Sequence, residues 1–247
     1  MLIIEYCIAI SIRFYAVFLT FNFINHQQHF IMKKLITLFT ILVTASITAQ
    51  NFQLHNDFER GHLTTTFELF KMDKYGNTFT FVDFDYNSAT GTGLAYFEIA
   101  RVLKTEKMPV GLHVEYNAGH TNGFTIPEAW IFGANYSKGN ATWGFSTYAG
   151  YKAFTGAGEG NFQITGTWYW NLVPEKLTFS GFADYWTEKG DFAFGYTDLN
   201  VFLAEPQLWY HLNKSFSVGG EIEISSNFGG GSDAIKGRPT LGIKWNI

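Results

Sequence analysis

After residue 50, apolar and polar residues alternate with a period of two through most of the chain. Phe162, Ile164, Gly166, Trp168 and Trp170 alternate with Gln163, Thr165, Thr167 and Tyr169. Val110, Leu112, Val114 and Tyr116 alternate in the same way with Gly111, His113, Glu115 and Asn117, and Leu241, Ile243, Trp245 and Ile247 with Gly242, Lys244 and Asn246. Strand side chains point alternately to opposite faces, so each segment carries one apolar face and one polar face. Twelve such strands are predicted, at 52–59, 62–71, 77–86, 94–103, 110–119, 128–137, 141–151, 161–170, 177–187, 198–212, 216–225 and 239–247. Pro206 removes a ladder donor from the tenth and predicts a bulge or local break there.

The third strand, NTFTFVDFDYN, poses the choice of fold. Asp83 and Asp85 share a face with Phe79 and Phe81, while Val82, Phe84 and Tyr86 share the other. A soluble sandwich would bury the apolar face against a second layer, whereas a transmembrane barrel turns it to lipid and the acids to a wet lumen. Connection lengths favour the barrel. NSATGTG, HTNGFTIP, KAFTGAGEG, EKGDFAFGYT and SNFGGGSDAIKGR alternate with the mostly shorter MDKYG, KTEKMP, SKGN, NLVPEK and LNKS; only the first connection, ERGH, departs from the trend. Outer-membrane barrels pair short periplasmic turns with longer external loops. Trp168, Tyr169, Trp170, Tyr185, Trp186, Trp209, Tyr210 and Trp245 lie near strand ends, where interfacial girdles are expected. The fold class is therefore all-β: a single twelve-stranded antiparallel transmembrane β-barrel of the outer-membrane type, following an N-terminal signal peptide.

Composition sharpens this reading. Charged residues make up 15% of the 247 and aromatics 19%, against roughly 25% charged in an average soluble domain. Residues 32–49, MKKLITLFTILVTASITA, have the two lysines, apolar run and small-residue end of a secretory signal peptide, with cleavage before Gln50. Residues 1–31 read as an extension ahead of a true start at Met32, an unusually long leader being the alternative, and 50–247 as the barrel. The lone cysteine, Cys7, precedes the cleavage point, so the exported part has no disulfide, cysteine metal site or thiol nucleophile. It retains 14 basic and 20 acidic residues, a net charge of −6. Such a surface excludes nucleic acid as a partner.

The polar phases place Asp57, Glu59, Glu68, Asp83, Asp85, Glu98, Glu115, Asp184, Glu205, Glu221 and Glu223 inward, with Lys244 and Arg101 as the inward bases. An acidic, narrow lumen repels anions and favours cations or neutral solutes rich in hydroxyl and amine donors. Tyr96, Tyr169, Phe79 and Phe81 add stacking faces and Asn117 an amide. The competing role for any one carboxylate is a structural network with waters or basic groups.

The runs TFTFVDFDYNSATGTGLAYFEIARVL, GLHVEYNAGH and EAWIFGANY resemble the nucleoside-specific channel-forming outer-membrane proteins, the Tsx-like family, and most of all Tsx-like barrels of the Bacteroidetes type. The likeness covers nearly the whole of 50–247 as strand phrases. It implies a monomeric twelve-stranded barrel in outer-membrane lipid, both termini periplasmic, with a nucleoside-like small-molecule solute bound along the wall. The candidate solute-binding residues are Phe79, Phe81, Asp83, Asp85, Tyr96, Glu98, His113, Glu115 and Asn117. The expected function is passive diffusion of small neutral solutes. The alternatives are a non-conducting structural or adhesion barrel and a soluble periplasmic β-sandwich or lipocalin-like binder.

No enzyme, cofactor or metal is expected. His120-Thr121-Asn122-Gly123 resembles the His-x-Ser-Asn-Gly phrase of outer-membrane phospholipases but lacks the serine and one position of spacing. The glycine clusters at 156–160 and 229–231 lack the Lys-Ser/Thr ending and helix of a phosphate loop. His55 and His62, set to face one another across the first hairpin, have no third ligand.

Overall fold

The computed structural model describes residues 50–87, 91–105, 107–193 and 195–247; the expected leader segments at 1–31 and 32–49 lie outside them. Twelve strands run in order: β1 (Gln50–Asp57), β2 (Leu63–Asp73), β3 (Gly76–Asn87), β4 (Gly91–Leu103), β5 (Gly111–Thr121), β6 (Thr125–Gly139), β7 (Trp143–Phe154), β8 (Gly160–Val173), β9 (Leu177–Phe192), β10 (Gly195–His211), β11 (Phe216–Ser226) and β12 (Lys236–Asn246). Each pairs antiparallel with its neighbours in sequence, and β1 pairs with β12 to close the barrel. The seam is in register, with Phe52 opposite Trp245 and Leu54 opposite Ile243. Closure satisfies the backbone groups that an open sheet would leave bare at its edges, a requirement in hydrocarbon.

The burial pattern inverts that of a soluble domain. The exposed side chains include Leu112 at 59%, Leu241 at 60% and Ile164 at 47%, all on outward phases, while Gln53, His55, Asp57, Asn135, Asn161 and Ser217 are buried inside. Water is therefore the solvent of the interior and lipid that of the exterior. Outward rings collect at the end that carries both chain termini, where Trp143 stacks near Phe145 at 6.3 Å and Phe216 near Trp245 at 6.4 Å. The expected girdle needs one correction: Trp186 and Trp209 are 8% and 1% exposed and point into the barrel, not to its surface.

The alternation in connection length does not persist. EKGDFAFGYT is mostly strand, because β9 and β10 run for 16 and 17 residues and pair as far as Phe192 opposite Gly195. Pairing adds a ladder bond at each step, so residues that read as a loop extend the hairpin past the membrane. The connection at 227–235 stays long, as does the even-numbered one at 104–110. Pro206 produces a local break. Pairing of β10 with β11 lapses at Glu205 and Pro206 and resumes in the same register at Gln207 opposite Glu221.

Candidate functional site

The predicted lumenal residues of β3 and β4 form one wall. Asp83 lies opposite Tyr96 and Phe81 opposite Glu98 across the β3–β4 ladder, so all four share the inner face. Phe79, Phe81 and Tyr96 make a file of rings, with centroids 5.8 and 5.7 Å apart. Thr66 on β2 donates to Asp83 at 2.5 Å and Thr64 to Asp85 at 2.6 Å. Glu68, also on β2, accepts from Asn51 at 3.2 Å. Along this wall Thr64, Thr66, Glu68, Phe79, Phe81, Asp83, Asp85, Tyr96 and Glu98 all keep part of their surface accessible. Among the described residues, neither the Tyr96 hydroxyl nor the Glu98 carboxylate has a side-chain hydrogen-bond partner.

Carboxylates of the far wall meet this one. β9 lies six strands from β3 around a closed ring of twelve, so Asp184 and Glu205, inward on β9 and β10, come from the opposite side. Both therefore face Asp83 and Glu98 across the lumen. Asp184 Oδ1 is buried without a hydrogen-bond partner. Together Asp83, Glu98, Asp184 and Glu205 make an acidic belt across the lumen.

The remaining predicted residues, His113, Glu115 and Asn117, belong to a different construction. Glu115 is 1% exposed. It accepts from Asn117 at 3.1 Å and from the Tyr148 hydroxyl at 2.6 Å, with His113 Nε2 3.1 Å away. His113 stacks on Tyr148 at 3.7 Å. The network continues as Gln163 donates to Tyr148 at 3.0 Å and Lys152 to Gln163 at 2.7 Å. A carboxylate so supplied with donors has little capacity left for a solute.

The basic groups also differ from expectation. Arg101 points outward, against Thr78 and Asp73 at the terminal end, because its register partner Thr78 lies on the lipid-facing phase of β3. Lys244 points inward as expected, 4.2 Å from the Trp209 ring centroid. Other bases join it in the lumen, and Lys152 lies 4.4 Å from the ring centroid of Trp186. Arg60 reaches in from the first turn to Asp57 at 2.6 Å and to Glu223 at 3.0 Å, and Arg238 also pairs with Glu223. Glu59 sits in that turn rather than on a strand, 52% exposed and 4.0 Å from Arg238. His55 and His62 do not face one another: His55 contacts Thr240 and Gln53, and His62 lies 3.5 Å from Asp85. Lys152 was legible, since Tyr151 and Ala153 occupy the outward phase of β7. Arg60 was not, because a turn has no phase to read.

A family model described as a domain of unknown function, DUF5020, matches residues 49–247. No curated protein matches the chain in sequence. Among solved structures, the NanC porin in a rhombohedral crystal form aligns with 81% of this chain and 100% of its own at 9% identity and a TM-score of 0.56. The KdgM porin aligns over 81% and 99% at 6% identity with a TM-score of 0.48. Omp33, an outer-membrane protein of Acinetobacter baumannii, aligns over 81% and 97% at 12% identity and 0.42. The likeness to the NanC porin is one of fold.

Proposed function

The chain belongs to the DUF5020 family, and from that premise we propose that its barrel is an outer-membrane channel through which small neutral solutes, nucleosides foremost, diffuse passively. Both termini face the periplasm in this reading, and the barrel works as a monomer. The observation that carries it is the ring file Phe79, Phe81 and Tyr96 beside Glu98, which has no side-chain hydrogen-bond partner among the described residues, with Asp184 and Glu205 on the opposite wall. A flat heterocycle stacks on such rings, while sugar hydroxyls and amino groups donate to the carboxylates. Phosphorylated solutes are repelled by the same belt.

The second reading is a barrel that does not conduct and serves as a structural or adhesion element. It is favoured by the Glu115 network and by Trp209, which are buried among inward-facing side chains. Purified protein in a planar bilayer separates the two. The channel reading expects ion conductance that adenosine or thymidine reduces, with the block weakened about tenfold in Phe81→Ala, the effect of losing one stacking partner. A silent membrane, or conductance indifferent to nucleosides, overturns it.

A further inference from the structure

β10 breaks the rule that the inner face is polar. Leu199, Val201 and Leu203 occupy its inward phase, opposite Glu188, Trp186 and Asp184 of β9. Val201 is 0% exposed, and Leu203 and Trp186 are each 8% exposed. They are covered from inside the barrel by Phe154, Phe182 and Phe228, whose rings pack on this cluster. Phe228 is the one cover that belongs to no strand. It lies in the β11–β12 connection, at the start of the 3₁₀ turn Phe228–Gly230, and meets Trp186 edge-on at 6.0 Å and 88°.

The segment carrying Phe228 is built to turn sharply. Asn227 has φ 56°, Gly229 φ 60° and Gly230 φ 75°, left-handed values that glycine adopts without strain. Asn227 N donates to Ser232 O at 2.8 Å, Gly231 N to Phe228 O at 3.0 Å, Asn227 Nδ2 to Asn200 O at 2.9 Å and Ser226 Oγ to Asp233 O at 2.8 Å, and none of these bonds reaches the Phe228 side chain. Beyond the turn the connection is open to solvent, with Ile235 76% exposed. A permanent piece of wall would be expected on a strand; this ring sits on a glycine-rich arm.

We propose that Phe228 is the plug of an apolar gate at the loop end of the lumen, seated on Trp186, Val201 and Leu203 in the closed state and withdrawn on its glycine arm to open. The proposal rests on the channel reading above and adds its regulation. An apolar constriction excludes water and therefore ions while its walls touch. Seating is favoured because it hides apolar surface from the wet lumen, and withdrawal exposes that surface again. The gate starts at the level of the acidic belt, where Leu203 stands opposite Asp184, and extends toward the loop end through Val201 and Trp186.

Two measurements test the gate. In planar bilayers, Phe228→Ala is expected to raise the open fraction about tenfold, the factor associated with loss of one buried phenyl ring. In intact barrels carrying Val201→Cys, a small water-soluble thiol reagent added from the loop side is expected to label about tenfold faster when Phe228→Ala is also present. Conductance in the parent protein with no change on Phe228→Ala overturns the gate and leaves the channel standing. Silence from both proteins removes the channel reading and the gate with it. Equal labelling of Val201→Cys with and without Phe228 overturns the seated plug, whatever the conductance.

Discussion

Two neighbouring sectors of the same lumen use their carboxylates in opposite ways. On β3 and β4, Asp83 is held by one threonine and Glu98 by no side chain among the described residues, and both keep surface accessible to the interior. On β5, Glu115 is sealed among Asn117, Tyr148 and His113. Strand phase is the same in both sectors and brings each acid inward. The difference comes from the next strands: β7 and β8 supply Tyr148, Gln163 and Lys152 to the β5 sector, while β2 supplies short threonines to β3. Inward direction therefore decides which solvent an acid would meet, and the donors across the ladder decide whether it meets that solvent at all.

The largest expected effect breaks the sealed sector. Glu115→Ala leaves the Asn117 amide, the Tyr148 hydroxyl and His113 without their acceptor. At about 1–3 kcal/mol for each buried polar group left unpaired, the barrel loses about 3 kcal/mol or more. Glu98→Ala, on the accessible wall, removes no hydrogen bond and shifts stability by less than about 1 kcal/mol. Urea unfolding in detergent micelles compares the two. Equal losses would mean that the sectors do not differ in the way their hydrogen bonds indicate.

That contrast also marks where sequence reading stopped. Period-two alternation was enough for twelve strands and for the inward phase of Asp83, Glu98 and Glu115, because a strand in lipid must sort its side chains by solvent; the barrel itself was read from composition, aromatic placement and a connection-length trend that the structure does not keep. It could not separate Glu98 from Glu115. That distinction depends on Tyr148, which is 33 residues from Glu115 and adjacent only through the ladder. The girdle pattern favoured an outward Trp186 against its own phase, since it stands two residues from the inward Asp184; the apolar inner phase of β10, Leu199, Val201 and Leu203, was the further signal that the lumen holds an apolar layer. Arg101 was misread in the same way: three residues from the inward Glu98, it falls on the opposite phase of β4.

A smaller effect concerns selectivity. Asp83→Asn combined with Asp184→Asn removes charge from both walls of the belt without changing side-chain volume. The preference for cations over anions, read from reversal potentials in a salt gradient, should fall about fivefold, the factor for a ~1 kcal/mol interaction between charges a few ångströms apart in water. Glu115→Gln should leave the reversal potential unchanged, since its carboxylate is already enclosed. A shift of equal size from Glu115→Gln would place that residue on the permeation path and erase the distinction between the sectors.

The smallest effect tests the outer boundary of the comparison. Arg101 bonds Asp73 and Thr78 on the lipid side of the terminal end, its side chain 27% exposed and that of Asp73 42%. An ion pair this accessible is screened by solvent and contributes little. Arg101→Ala is therefore expected to change unfolding by no more than about 0.5 kcal/mol and to leave both the reversal potential and nucleoside block as they were. Lys244→Met, which removes a partly accessible base from the inner face, should increase cation preference instead. If Arg101→Ala moved the reversal potential as much as Lys244→Met, the β4 side chains would have to be turned by one residue, carrying Glu98 out of the lumen and Ile99 into it.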